Sequence, residues 1–127
     1  MDNSIDTLVY SYTRAQAIED GILINVTETA KEAGIKFPTV VTDHLNHSYI
    51  VPSLELAKMG QSIDGRLWDL LMMFRFNACK SNSNILNYIC LFQMKPGSEA
   101  VEKTIKAHIG PGDTAEPVIT LMLPGDN

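Results

Sequence analysis

Ser62-Ile63-Asp64-Gly65-Arg66-Leu67-Trp68-Asp69-Leu70-Leu71-Met72-Met73-Phe74-Arg75-Phe76-Asn77-Ala78-Cys79 is the stretch on which the fold turns. Ile63, Leu67, Leu70, Leu71, Phe74 and Ala78 recur at helical spacing and make one apolar stripe. Ser62 is placed to cap the helix, and Asp64 in its first turn suits the positive end of the helix dipole. Gly65 costs about 1 kcal/mol relative to alanine. Trp68, Met72, Met73 and Phe76 carry apolar surface beyond the stripe. The expectation is a central helix covered on more than one side, with these residues in core packing. Arg66 and Asp69 read as a local ion pair or as part of a buried network with Trp68, the ion pair being favoured, and Arg75 and Lys80 suit the helix's negative end.

Beyond the polar turn Lys80-Ser81-Asn82-Ser83-Asn84 the period changes. Ile85 to Met94 reads as a strand that stops at Lys95-Pro96-Gly97. Thr104-Ile105-Lys106-Ala107-His108-Ile109 alternates, as a half-buried strand does. Gly110-Pro111-Gly112-Asp113 reads as a turn, and Val118 to Leu123 as the last strand. Three strands in succession with short links favour an antiparallel meander.

On the N-terminal side the punctuation is explicit. Thr13 with Gln16 forms a capping box for a short helix through Asp20, which Gly21 stops. Ile22 to Val26 suggests a small strand. Thr27 reads as the cap of a second short helix that closes at Gly34. Thr42 is placed to cap a third through Tyr49, and Ser53 to Lys58 a brief helical turn. The class is α+β: N-terminal short helices and one long central helix packed on a C-terminal three-stranded antiparallel sheet. Residues 1–127 read as a single domain, with 1–9 as a loose arm.

Composition narrows the function. The chain has 127 residues, 45% of them apolar and 20% charged, enough hydrophobe for one core. Ten Lys and Arg against fifteen Asp and Glu leave a net charge of −5, so direct nucleic-acid binding is secondary. No apolar run reaches the roughly 20 residues of a membrane span. The acidic, polar start Met1 to Asp6 is wrong for a secretory signal, and Cys79 and Cys90 make no disulfide scaffold. A cytoplasmic location follows as an expectation. His44-x-x-His47 supplies two ligands of a metal set and no cysteine completes it. Cys79 or Cys90 with His108 is formally a nucleophile pair, yet Cys90 sits in an apolar run where a thiol acts as a small hydrophobe. No catalytic set, metal site or cofactor signature is read, and the glycine-rich Gly110–Gly112 segment lacks the Lys-Ser/Thr of a phosphate loop.

The candidate partner-binding residues are Tyr10, Tyr12, Arg14, Asp113 and Glu116. Two alternating tyrosines and a guanidinium give large contact area with polar handles, as at interfaces. The other reading packs one tyrosine against the core. Asp113 and Glu116 project from a stiff Gly-Pro-Gly turn, as an acidic contact for a basic partner or a carboxylate pair. The alternative is turn chemistry, with Asp113 accepting a backbone amide.

Tyr10 to Gly21 continuing to Val26-Thr27-Glu28-Thr29-Ala30, then Gly65-Arg66-Leu67-Trp68-Asp69, then Gly110 to Asp113 with Glu116 to Gly125, resemble a family of small uncharacterised proteins. That family belongs to plasmids, phages and other mobile elements. The likeness covers most of residues 10–125 and departs across 43–62 and 80–104. It brings no catalytic residue. It implies a setting in which small proteins inhibit host defences such as CRISPR or restriction systems.

Three functional readings follow. The first is a stoichiometric inhibitor that binds a protein or ribonucleoprotein of a host defence system, anti-CRISPR or anti-restriction. The second is a small enzyme acting on a nucleotide or RNA through Asp113, Glu116 or His108. The third is a homodimeric regulatory module joined through the sheet edge or surplus apolar helix surface.

Overall fold

The computed structural model describes residues 12–126. The capping box forms as read: Thr13 opens α1 (Arg14–Glu19). After Gly21 come β1 (Leu23–Asn25), α2 (Thr27–Glu32) and β2 (Thr39–Thr42). Thr42 caps α3 (Asp43–Leu45), which widens into a π turn over Asn46–Ile50, and Ser53 caps α4 (Leu54–Lys58). Ser62 accepts a hydrogen bond from the Gly65 amide and opens α5 (Ile63–Ala78). Then follow β3 (Ile85–Phe92), β4 (Val101–Pro111) and β5 (Pro117–Met122).

The fold is α+β, but the sheet is larger than the sequence suggests. Among the described residues it has five strands, in the order β1-β2-β5-β4-β3. β3, β4 and β5 do form an antiparallel meander, and β5 also lies parallel to β2, with Val41 opposite Leu121. β1 extends the sheet antiparallel to β2. All four residues of β2 are buried, which explains its weak local signature. A strand covered on both faces shows a short run rather than alternation. β4 also starts at Val101 and runs through Gly110 and Pro111, so the turn shrinks to residues 112–116.

The core lies on one face of the sheet. Leu67, Leu70, Leu71 and Phe74 of α5, Ala30 of α2 and Leu45 of α3 meet Tyr88, Cys90, Phe92, Ile105, Ala107, Ile119 and Leu121. Tyr88 donates its hydroxyl to Leu70 O at 3.0 Å, which satisfies a phenol taken out of water. α1 covers the other face near β5, where its Arg14 reaches Thr120.

Three local expectations are corrected. Thr27 does not cap α2. Its hydroxyl donates to Asn25 Oδ1 and accepts from the Thr39 amide, tying the helix start to β2. α5 is not covered on more than one side: of the four apolar residues beyond its stripe Met72 packs against the core, but Trp68, Met73 and Phe76 are exposed at 38%, 37% and 57%. Arg66 forms no ion pair with Asp69. It is buried, and its guanidinium donates to Tyr49 O, Gln93 O, Gln61 Oε1 and the Met94 sulfur. One side chain thereby fastens the π turn, the α4–α5 link and the end of β3 to the long helix.

Candidate interaction corner

A helix start leaves its first amides without intrahelical partners. At α1 four of them are satisfied from two sources. Thr13 Oγ1 accepts from the Gln16 amide at 3.0 Å, and Gln16 Oε1 accepts from the Thr13 amide at 2.9 Å. The Arg14 and Ala15 amides donate to the two oxygens of Asp113 at 2.8 and 3.0 Å. Asp113 comes from the β4–β5 hairpin, so a residue distant in sequence completes the cap.

Arg14 locks the same joint from its other end. Its guanidinium donates to Thr120 Oγ1 and to Ile119 O, both at 2.7 Å. Burial lowers the proton affinity of Arg14, and Asp113 and Glu116 nearby offset part of that. The amides of Arg14 and then Ala15 hold the Asp113 carboxyl below the usual carboxylate range, with a smaller contribution from the Arg14 charge.

The hairpin is stiff for visible reasons. The Gly112 amide donates to Glu116 O at 2.7 Å, and the Thr114 amide and hydroxyl both donate to the Glu116 carboxylate. A Cβ on Gly112 would stand 1.9 Å from Glu116 Oε1 and 2.8 Å from Val118 Cγ1, so any other residue there forces the Glu116 carboxylate and the Val118 side chain to move. Tyr12 is exposed and donates its hydroxyl to Asp20, which raises the pKa of the phenol.

Tyr12, Arg14, Asp113 and Glu116 thus meet at one corner, while Tyr10 lies outside the described residues. Their polar groups are engaged in internal hydrogen bonds, so the corner is a joint as well as a surface. Thr120 and Asp20 were not foreseen. Nothing local in the sequence marks Thr120 as the acceptor of Arg14.

The remaining reactive groups are dispersed. Cys90 lies in the core, and burial pushes its thiol up to about 11. His108 stands on the opposite face of the sheet, in a cleft of about 410 Å³ with Lys106, Thr42, Thr120 and Asp126. Asp113 and Glu116 do not line that cleft. His44 and His47 each take a separate carboxylate, Asp126 and Asp43. Among the described residues, no three His, Cys, Asp or Glu side chains converge as metal ligands would, and no helix is long and apolar enough to cross a membrane.

Asp126 yields a pH prediction. Burial raises its pKa, but hydrogen bonds from His44, Thr42 and the Leu123 amide outweigh that and hold it below its ordinary value. A depressed carboxyl contributes stability in full above the unfolded value of about 3.9. That contribution drains away as pH falls through the lower folded value. Asp126→Asn is expected to lower the melting temperature at neutral pH and to flatten the fall in stability below about pH 4. Thermal melts from pH 2 to 7 check it, and an unchanged acid slope counts against the linkage.

The fold and corner define a small α+β protein in which helix α1 is joined to the β4–β5 hairpin by hydrogen bonds. The chain belongs to a family of unknown function, DUF6573, whose sequence pattern spans residues 3–127. No curated protein and no solved structure matches it.

Proposed function

We propose that the chain acts by stoichiometric binding, as an inhibitor that docks on a protein or ribonucleoprotein of a host defence system. One observation carries the binding mode: Tyr12, Arg14, Asp113 and Glu116 are assembled on a single hydrogen-bonded corner from the two ends of the described chain. Side chains already fixed lose little entropy when a partner arrives. A net charge of −5 and the carboxylates of Asp20, Asp113 and Glu116 suit a basic target and speed the encounter. The defence setting rests on the resemblance of residues 10–30 and 110–125 to small proteins of mobile elements.

The test is capture of CRISPR effector and restriction complexes on the purified protein, with phage survival scored in cells. Asp20→Lys and Tyr12→Ala alter exposed groups and leave the α1 cap in place. Each is expected to weaken capture about tenfold or more, the scale of 1.4 kcal/mol, with little change in melting temperature. Absence of capture by any such complex, with no protection of phage, removes the reading.

A second reading is a small enzyme acting on a nucleotide or RNA. The cleft that gathers Lys106, His108 and Asp126 supports it. Turnover by purified protein that is lost in His108→Ala would favour it over binding.

A further inference from the structure

Charge is not spread evenly over this chain. Lys36 and Phe37 lie on the link from α2 to β2, and Arg75, Phe76, Cys79 and Lys80 lie at or just beyond the C-terminal end of α5. The fold brings the two segments together. Lys36, Phe37, Arg75 and Cys79 line a cleft of about 300 Å³, and Arg75, Phe76, Cys79 and Lys80 line another of about 270 Å³. Arg75 and Cys79 belong to both, so the clefts are continuous, with Phe37 in one and Phe76 in the other. The two rings are 43% and 57% exposed. No Asp or Glu lines either cleft. Among the described residues, none of the three cations is in an ion pair. Gly34 makes the junction possible. Its φ is +89°, and a Cβ there would stand 3.0 Å from Arg75 Cζ and Nε, so the absent side chain gives the guanidinium its place. Lys80 Nζ lies 3.9 Å from the centre of the Phe76 ring. The dipole of α5 accounts for Arg75 and Lys80. It does not account for Lys36, which comes from another element, or for two exposed rings among the cations.

We infer that this surface binds a single-stranded nucleic acid, with phosphates against Lys36, Arg75 and Lys80 and bases against Phe37 and Phe76. The net charge of −5 describes the whole chain, whereas a contact is decided by the charge where it forms. Three cations with no acid among them select a polyanion. The rings narrow the choice. Every nucleotide carries an anion and a flat aromatic face, and a single strand leaves that face open to stacking. A duplex keeps its faces stacked within the helix, and an acidic polypeptide brings carboxylates without a ring at each repeat. An anionic membrane presents a plane, whereas these cations line clefts. Neither cleft includes Tyr12, Asp20, Asp113 or Glu116, so the site is separate from the interaction corner.

Fluorescence anisotropy of labelled oligouridylate and oligodeoxythymidylate titrated with the full chain is the test. Binding of at least one is expected, and the tighter of the two identifies the sugar the site prefers. The logarithm of the binding constant should fall against the logarithm of salt concentration with a slope of about −2, from about −0.7 for each of three phosphates. Lys36→Glu and Lys80→Glu change exposed side chains. Each is expected to weaken binding about tenfold or more at an unchanged melting temperature. Phe37→Ala and Phe76→Ala are each expected to weaken it about tenfold, the loss of one stacked base. Polyglutamate should bind more weakly than either strand and be indifferent to the ring variants. No binding of either strand at low salt overturns the inference. So does equal or tighter binding of a matching duplex, of polyglutamate or of phosphatidylserine vesicles, or strand binding that both ring variants leave unchanged. Tyr12→Ala, which weakens capture at the corner, is expected to leave strand binding intact, so failure of one proposal is distinguishable from failure of the other.

Discussion

Arg66→Ala is expected to destabilise the protein by about 3–5 kcal/mol, a large share of the 5–15 kcal/mol that typically holds a domain together. Arg66 is only 6% exposed, and each of its nitrogens donates. Its acceptors include two main-chain carbonyls, Tyr49 O and Gln93 O. Truncation leaves these without their partner and opens a void against Phe92, whose ring lies 5.5 Å from the guanidinium carbon. Arg66→Met separates the two causes. It restores much of the side-chain volume but none of the donors, so it should recover only part of the loss. Urea denaturation of the three proteins makes the comparison. If Arg66→Met is as stable as the unmutated chain, the hydrogen bonds contribute nothing net and the argument fails. Arg66→Lys should resemble the methionine variant more than arginine, because one ammonium cannot serve the π turn and the end of β3 at once.

The second large effect is at Phe74. Its ring is 3% exposed, sits in the core and meets Tyr88 with ring centres 6.1 Å apart. Phe74→Ala is expected to cost about 3–5 kcal/mol through lost apolar burial and the cavity left behind. Phe76→Ala, two residues on, provides the contrast. Phe76 is 57% exposed and has the Lys80 ammonium over its ring at 3.9 Å. Its removal should change stability by less than about 1 kcal/mol. Equal losses at the two positions would mean that the burial pattern of α5 is wrong.

That contrast marks a limit of reading periodicity. Phe74 and Phe76 are the same residue type on the same helix. Of the stripe Ile63, Leu67, Leu70, Leu71, Phe74 and Ala78, the middle four mark the buried side, while Ala78 is half-buried and Ile63 at the helix start is 47% exposed. Beyond the stripe, hydrophobicity alone led to an expectation of burial for Trp68, Met73 and Phe76 that the fold does not meet. A helix at the margin of a sheet has only one side to bury, and nothing in its own sequence says where it sits. The same holds for Arg66. In sequence its near neighbour is Asp69, whereas in space its acceptors come from residues 49, 61, 93 and 94.

The candidate corner divides the same way. Thr13 and Gln16 are legible because a capping box closes within one helical turn. That Asp113 would accept a backbone amide was one of two readings of its turn. That the amides belong to Arg14 and Ala15 was beyond local reasoning, because the contact depends on α1 lying against the β4–β5 hairpin. The apolar run Ile85 to Met94 reads as a strand from sequence, and the strand it forms is Ile85–Phe92. Its position at the edge of the sheet is not legible there.

What this chain determines by itself is therefore whatever closes over a few residues: the caps at Thr13, Thr42 and Ser62, the stripe of α5, the alternation of β4. Those rest on hydrogen bonds and periodicities that need no distant partner. Tertiary structure alone decided that Thr39–Thr42 is a buried strand, that β5 inserts between β2 and β4, and that Arg66 serves carbonyls rather than a carboxylate. Each of these depends on loop closures across tens of residues, and the free energy that selects among them comes from burying one shared core.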